Sequence, residues 1–286
     1  MKRVFVTGGA GQFGNALIPL LGAAEVICPT IDDLDISQGV AVDFVVDRKP
    51  DLVLHAAAMT NVDDCEKRPD LAYQHNALGT RNMALAAKQL GAPLVYVSTD
   101  YVFSGEKGAP YVELDPPDPI NEYGKSKYEG EKFVRSVLDS YFIVRPCWLY
   151  GNGQMNFVFR ILKQIFAGKP LTMTANVGSP TYTLDFAAAL IRLIETRAYG
   201  TYHLANDGAC SRYEMTRKVC EVIGQPDYPV ELAPYEQTAT RPKNTSLANT
   251  AASEKLGIRL RQWDKALEAC LTACKLVELA KVAADG

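Results

Sequence analysis

Val4-Phe5-Val6 reads as a short strand, and it runs straight into Thr7-Gly8-Gly9-Ala10-Gly11-Gln12-Phe13-Gly14. From Gln12 to Leu21 the apolar spacing becomes that of a helix. Gly8, Gly11 and Gly14 therefore form G-x-x-G-x-x-G between a strand and a helix. Side chains at such positions would crowd a tight turn, an approaching pyrophosphate or the helix–strand contact. The helix start offers free N–H groups and a partial positive charge to phosphate. Glycines alone are a weak signal, but strand, glycines and helix in this order predict the first unit of a dinucleotide-binding sheet.

The rest of the chain keeps alternating. Further strands are predicted at Glu25–Cys28, Leu52–Leu54, Leu94–Val97 and Phe142–Val144, with a later one at Tyr202-His203-Leu204. Between them, helices are predicted from Ser37 as N-cap to Lys49, from Pro69 to Leu90 and from Tyr123 to Ser140. After Trp148 the pattern loosens: helices are expected at 156–167, 185–196, from a Ser211 cap to Ile223 and at 263–281, and no regular element in the Pro-rich stretch 226–245. Strand–helix alternation predicts an α/β fold, a Rossmann-type doubly wound parallel sheet with a smaller, loop-rich α/β substrate lobe. The expected division is 1–147 plus about 182–205 for the dinucleotide-binding domain, and about 148–181 plus 206–286 for the substrate-binding lobe.

Composition narrows the function. Of 286 residues, 30 are Lys or Arg and 33 Asp or Glu, a net charge of −3. A nucleic-acid partner or an anionic membrane would call for a basic excess, so neither is expected. No run approaches the roughly 18 apolar residues of a membrane helix. Seven scattered cysteines without a C-x-x-C pair, and three histidines, favour thiols in a reducing cytoplasm over disulfides or zinc, and no metal is expected.

The chemistry concentrates at Tyr123-Gly124-Lys125-Ser126-Lys127. On a helix Tyr123 and Lys127 share a face. A phenol titrates near pH 10, and an ammonium beside it would lower that value, making a general acid for a carbonyl that receives hydride. Ser98-Thr99-Asp100 follows the fourth strand at the carboxyl end of the sheet, where ligands bind, and Thr99 is placed to donate to the same carbonyl. His55-Ala56-Ala57-Ala58 leaves the third strand with small residues that admit a cofactor. Asp35 and Ile36 suit an adenine, Asp35 accepting from its amine and Ile36 packing on the ring. No carboxylate stands at the tip of the second strand and no Arg or Lys follows it closely, which leaves NADH and NADPH open. His55 and His203 read as structural, Asn76 as a core or bracing residue, and Tyr150, Phe157 and Phe159 as core.

Taken in order, T-G-G-A-G-Q-F-G, H-A-A-A, S-T-D-Y-V-F-S-G and Y-G-K-S-K resemble the extended short-chain dehydrogenase/reductases. Arg145–Gly151, Gly178–Tyr182, Gly200–His203 and Ala239-Thr240-Arg241-Pro242 with Ser246-Leu247 narrow the resemblance to the dTDP-4-dehydrorhamnose reductases, across nearly the whole chain. The resemblance implies reduction by NADPH or NADH of the C4 ketone of dTDP-4-dehydro-L-rhamnose. By the same resemblance, Gly11, Gln12 and Phe13 form the pyrophosphate turn, and Ala57, Ala58, Met59 and Val97 line the dinucleotide. Tyr123 and Lys127 are the catalytic pair, with Lys127 also on the nicotinamide ribose. Thr99, Asp100 and Trp148 contact substrate, and Arg241 meets its diphosphate.

Met59 stands where the family often has Tyr, and Thr30 where an acidic residue is common. The glutamates that bridge some family dimers through magnesium have no match, so monomer and homodimer both stay open. Asp100-Tyr101 replaces the Asp-Glu pair of dehydratases. The alternatives are another nucleotide-sugar reductase or epimerase, or a non-catalytic dinucleotide-binding subunit.

Overall fold

The computed structural model describes residues 2–151, 156–234 and 237–274. Six strands form one parallel sheet: β1 (Arg3–Thr7), β2 (Glu25–Ile27), β3 (Leu52–His55), β4 (Leu94–Val97), β5 (Tyr141–Arg145) and β6 (Gly200–His203). Their order is β2-β1-β3-β4-β5-β6. The winding reverses between β1 and β3, so a crevice opens beyond their carboxyl ends. The register pairs Thr7 with His55 and Val97 with Val144, which brings the ends of β1, β3, β4 and β5 to one edge.

Burial on both faces explains the continuous apolar strands. On one face α1 (Gln12–Leu17) and a long helix at Thr183–Thr196 pack Phe13, Leu17, Phe186 and Leu190 against Val4, Val6 and Leu54. On the other, Val45, Met83, Ala87 and Val134 cover Phe5, Val53 and Tyr96. These come from helices at Ala41–Val46, Gly79–Leu90 and Glu122–Val137. A separate core of Tyr150, Ile161, Leu171, Tyr182, Val219 and Leu267 holds the second half. Its helices are Phe157–Phe166, Arg212–Val222 and Trp263–Ala273. Among the described residues no helix is long and apolar enough to cross a membrane.

Several expectations need correction. The helix expected from Ser37 begins at Ala41, because Asp35 accepts the Ser37 N–H at 2.9 Å and makes a turn there first. The helix expected over 69–90 is interrupted by a π-turn at Gln74–Leu78. An unforeseen helix at Val62–Lys67 starts where the Asn61 side chain accepts from the N–H groups of Asp63 and Asp64. In the Pro-rich stretch, Val230–Leu232 pairs in parallel with Leu171–Met173. Three residues between prolines and polar side chains carry too little pattern to read as a strand. The closing helix is described to Ala273, and the part expected over 275–281 lies outside the described residues.

Candidate active site

The turn from β1 to α1 is backbone packed on backbone. Gly8 has φ +73°, and a Cβ there would lie 2.7 Å from the Ala57 nitrogen. The Gly11 N–H closes the turn on the Gly8 carbonyl at 3.0 Å. Gly11 is the N-cap of α1 and supplies no side chain, so the first-turn N–H groups are left for an outside acceptor such as phosphate. This cradle fits a dinucleotide pyrophosphate. Phe13 reaches the cradle only through its backbone, since its ring packs 4.7 Å from that of Phe186. Ile36 likewise turns inward, its side chain so close beneath Gly79 that a Cβ there would lie 2.9 Å away. Ile36 thus lies in the core with Val45 and Met83.

The second strand does receive a carboxylate, from further along the chain. Asp33 folds back and accepts from the Thr30 N–H at 2.9 Å and from its hydroxyl at 2.8 Å. These hydrogen bonds hold its carboxyl below the usual range.

Tyr123 and Lys127 stand in the first turns of the Glu122–Val137 helix, which the Asn121 side chain caps by accepting from the Gly124 N–H at 2.9 Å. Lys127 is only 2% exposed. Its ammonium donates to the Val97 carbonyl at 2.7 Å and lies 4.3 Å from the centre of the Tyr96 ring. Val97 thus meets the site through its carbonyl, with its side chain in the core. Burial pulls the Lys127 pKa down to about 7, although Glu131 one turn on opposes this. Burial also pushes the Tyr123 phenol above its ordinary value, and the Thr99 hydroxyl beside it pulls the other way. The expected lowering of Tyr123 by Lys127 is therefore corrected for the protein without ligands. Desolvation of the phenol dominates its surroundings.

A buried hydrogen-bond chain links the rim of the crevice to the π-turn. The Ala57 N–H donates to Thr7 Oγ1 at 3.2 Å, and Thr7 Oγ1 lies 2.7 Å from His55 Nδ1. His55 Nε2 lies 3.0 Å from Thr80 Oγ1, which donates to the Asn76 carbonyl at 2.6 Å. Following the donors, His55 is a neutral imidazole with its proton on Nε2. Burial, then the Lys127 charge, lowers its pKa to about 3. Asn76 holds the Met59 backbone from both sides, accepting from its N–H at 2.8 Å and donating to its carbonyl at 3.0 Å. It also donates to Ser126 Oγ at 3.0 Å. Asn76 thus braces the segment after β3 against the Tyr123 helix, and the π-turn supplies the twist that aims it there.

On the substrate side the residues divide. Trp148 follows β5 with φ +46°, a strained backbone for a bulky residue. Its ring lies over Gly178, where a Cβ would come within 2.5 Å, and under the Arg212 guanidinium at 3.5 Å. Arg212, which also lies 4.2 Å over Phe157, was not legible as a site residue in the sequence. Asp100 is 3% exposed and turned inward to side chains of Thr99, Cys147 and Thr245, so its reach toward substrate is indirect. Arg241 makes a bidentate pair with Asp63 at 3.0 and 2.9 Å. With the substrate absent its charge is thus already matched, by a residue of the Val62–Lys67 helix.

The stretch 239–247 is a strap that ties the two halves together at the site. The Asn121 side chain donates to the Thr240 carbonyl at 2.9 Å, the Ala239 N–H to Asp63 at 3.0 Å, and the Leu247 N–H to Ser179 Oγ at 3.1 Å. Beneath it, Glu131 and Arg145 form a fully buried pair joined by Ser98.

Comparison with known proteins agrees with this geometry. The family described as RmlD substrate binding domain matches residues 1–276. The spore coat polysaccharide biosynthesis protein SpsK of Bacillus subtilis is 40% identical over 273 residues, covering 93% of this chain and 96% of that protein. A dTDP-4-dehydrorhamnose reductase of Aggregatibacter actinomycetemcomitans is 34% identical over 288 residues, covering 94% of this chain and 98% of that one. The crystal structure of dTDP-4-dehydrorhamnose reductase from Bacillus anthracis in complex with NADP superposes with a TM-score of 0.89 at 37% identity, covering 96% of this chain and 100% of that one. With a family match over nearly its whole length and relatives of this similarity, the chain belongs to the RmlD substrate binding domain family.

Proposed function

We propose that this chain is an NAD(P)H-dependent oxidoreductase that reduces the C4 ketone of dTDP-4-dehydro-L-rhamnose to give dTDP-L-rhamnose. The observation that carries the reading is that Tyr123 and Lys127, one helical turn apart, stand on a helix whose Lys127 is anchored on the carbonyl ending the fourth strand, just before Thr99, with a glycine cradle open to phosphate at the end of the first strand. Gly8, Gly11, Gln12, Phe13 and Gly14 would hold the pyrophosphate, Asp35 and the backbone at Ile36 the adenosine, and Ala57, Ala58 and Met59 the nicotinamide side. Reduced nicotinamide supplies the hydride. Tyr123, fully protonated at neutral pH because burial raises its pKa, gives its proton to the developing C4 alkoxide, a much stronger base than a phenolate. Lys127, anchored on the Val97 carbonyl, orients the ribose and supplies positive charge as the phenolate forms. Asn76 keeps the Met59 segment and the Tyr123 helix in register. Trp148 closes the sugar side, and Arg241, released from Asp63, would take a substrate phosphate.

The proposed division is residues 1–147 plus about 182–205 for the dinucleotide and about 148–181 plus 206–286 for the sugar nucleotide; two cores support it for much of the described chain, but Ala252, Ile258 and Leu260 pack in the core of the sheet and Tyr182 in that of the second half. The test is the loss of reduced-nicotinamide absorbance, with NADH and NADPH separately, on adding dTDP-4-dehydro-L-rhamnose. Consumption dependent on that sugar supports the reading, and none with either dinucleotide refutes it.

A further inference from the structure

His55 ends β3 directly opposite Thr7, the last residue of β1, and is fully buried. An imidazole sealed among apolar strands is costly unless both ring nitrogens have partners. Here each nitrogen has one. Thr7 Oγ1 lies 2.7 Å from Nδ1, and Thr80 Oγ1 lies 3.0 Å from Nε2. The other commitments of the two threonines fix the direction. Thr7 Oγ1 accepts the Ala57 N–H at 3.2 Å, and Thr80 gives its hydrogen to the Asn76 carbonyl at 2.6 Å. Thr80 must therefore accept from the ring at Nε2, and bare Nδ1 accepts from Thr7.

The two ends of this chain touch different parts of the site. The Ala57 nitrogen is pressed on the glycine turn, where a Cβ on Gly8 would lie 2.7 Å from it. The Asn76 carbonyl is pressed on the Tyr123 helix, where a Cβ on Gly130 would lie 2.8 Å from that oxygen. The Asn76 side chain also donates to Ser126 of the same helix at 3.0 Å. A third contact runs the same way. The His55 ring stacks on that of Tyr96 with centroids 5.5 Å apart, and the Tyr96 hydroxyl donates to the Lys127 carbonyl at 3.0 Å. One imidazole thus stands between the phosphate cradle and the seat of the helix that carries Tyr123 and Lys127.

We propose that His55 is a positioning residue for hydride transfer, an acceptor toward the glycine turn and a donor toward the Tyr123 helix, which holds dinucleotide and phenol at one fixed spacing. Its two functions can be cut apart. Asparagine places an oxygen where Nδ1 stands and reaches no further, so His55→Asn keeps an acceptor for Thr7 and loses the bond to Thr80. Glutamine places an amide nitrogen where Nε2 stands, so His55→Gln keeps a donor for Thr80 and leaves the Thr7 hydroxyl without its acceptor. Thr80→Val and Thr7→Val make the same two cuts from outside the ring.

The inference rests on the reductase reading, with the dinucleotide on the glycine turn and Tyr123 as the general acid, and the experiment separates the two. NADPH affinity is measured by fluorescence titration, and kcat with NADPH and dTDP-4-dehydro-L-rhamnose saturating, for the parent and these four variants. His55→Asn and Thr80→Val loosen the helix seat, so kcat should fall about tenfold or more with NADPH affinity within about twofold of the parent. His55→Gln and Thr7→Val loosen the cradle, so NADPH affinity should weaken about fivefold or more with kcat within about twofold of the parent. Thr80→Ser and Thr7→Ser, which keep the hydroxyls, should restore the parent values. Where the histidine variants fail to fold, the threonine variants give the same comparison. Two pairs that behave alike, through loss of both constants, loss of thermal stability alone or no loss, overturn the positioning role and leave the reductase reading intact. Nitrogen NMR on protein carrying isotope-labelled histidine reads the ring itself, with the His55 signals identified by their absence in His55→Asn. A neutral ring with its proton on Nε2 is expected, and a proton on Nδ1 overturns the proposal. A parent that oxidises neither dinucleotide with that sugar refutes the reductase reading, and the positioning role with it.

Discussion

Arg145→Met tests the packing beneath the site. Arg145 and Glu131 are 1% and 0% exposed, joined by hydrogen bonds of 2.8 and 2.6 Å. Glu131 also accepts from Ser98 at 2.7 Å and from Arg135 at 2.7 Å. Burial alone would raise the Glu131 pKa, but the Arg145 guanidinium outweighs it and holds the carboxyl below its ordinary value. Removing that cation strands a buried carboxylate with one partly exposed arginine, which costs about 3–5 kcal/mol. A chain of 286 residues unfolds with an entropy of roughly 0.6 kcal/mol/K, so Tm should fall by about 5–8 °C. Urea unfolding followed by tryptophan fluorescence at neutral pH measures the loss. Two further results are expected. The defect should shrink as the solution is acidified, because a protonated Glu131 needs no cation. In Arg145→Met/Glu131→Gln it should also be smaller than in Arg145→Met alone. A destabilisation below about 1 kcal/mol, or a double variant no better than the sum of the singles, would mean that Arg145 does not neutralise a buried Glu131 charge.

Three further outcomes are expected. Tyr123→Phe should lower kcat by at least about 100-fold while leaving dinucleotide affinity nearly unchanged, as read by turnover and fluorescence titration. Lys127 has a folded pKa of about 7, below its unfolded value, so the unfolded chain holds the extra proton between about 7 and 10.5 and stability rises with pH across that window. Lys127→Met should abolish turnover, flatten that rise, and stabilise the protein by on the order of 2 kcal/mol at mildly acidic pH, after allowing for the lost bond to Val97. Asp33→Ala should raise the kcat/KM ratio of NADPH to NADH by about tenfold, because the carboxylate folded onto Thr30 would repel a 2′-phosphate. An unchanged ratio would remove Asp33 from cofactor choice.

Much of the site was legible because its chemistry is local in sequence. The glycine turn, Tyr123 with Lys127, and Thr99 after the fourth strand are each fixed by spacing within one element or turn, and the strand order then brings them to one edge. What was hidden depends on contacts between distant segments. Arg241 pairs with Asp63 from 178 residues away, and Asp100 turns inward because Thr245, 145 residues on, reaches it. Helical periodicity cannot announce a π-turn, so a core or bracing role could be read for Asn76 but not the turn that aims it, nor could the burial of Glu131 on a helix otherwise rich in charge. Burial also set the sign of the Tyr123 shift. Sequence spacing showed the neighbouring ammonium but not the desolvation that outweighs it.

The most direct measurement follows the hydrogen itself. NADPH carrying deuterium at the transferable C4 position is mixed with the protein and dTDP-4-dehydro-L-rhamnose, and the sugar is examined by NMR. One deuterium is expected at C4 of the reduced sugar for each dinucleotide oxidised, and none in Tyr123→Phe over the same time. Sugar changed in configuration with the label still on the dinucleotide, or no change in either, would contradict it.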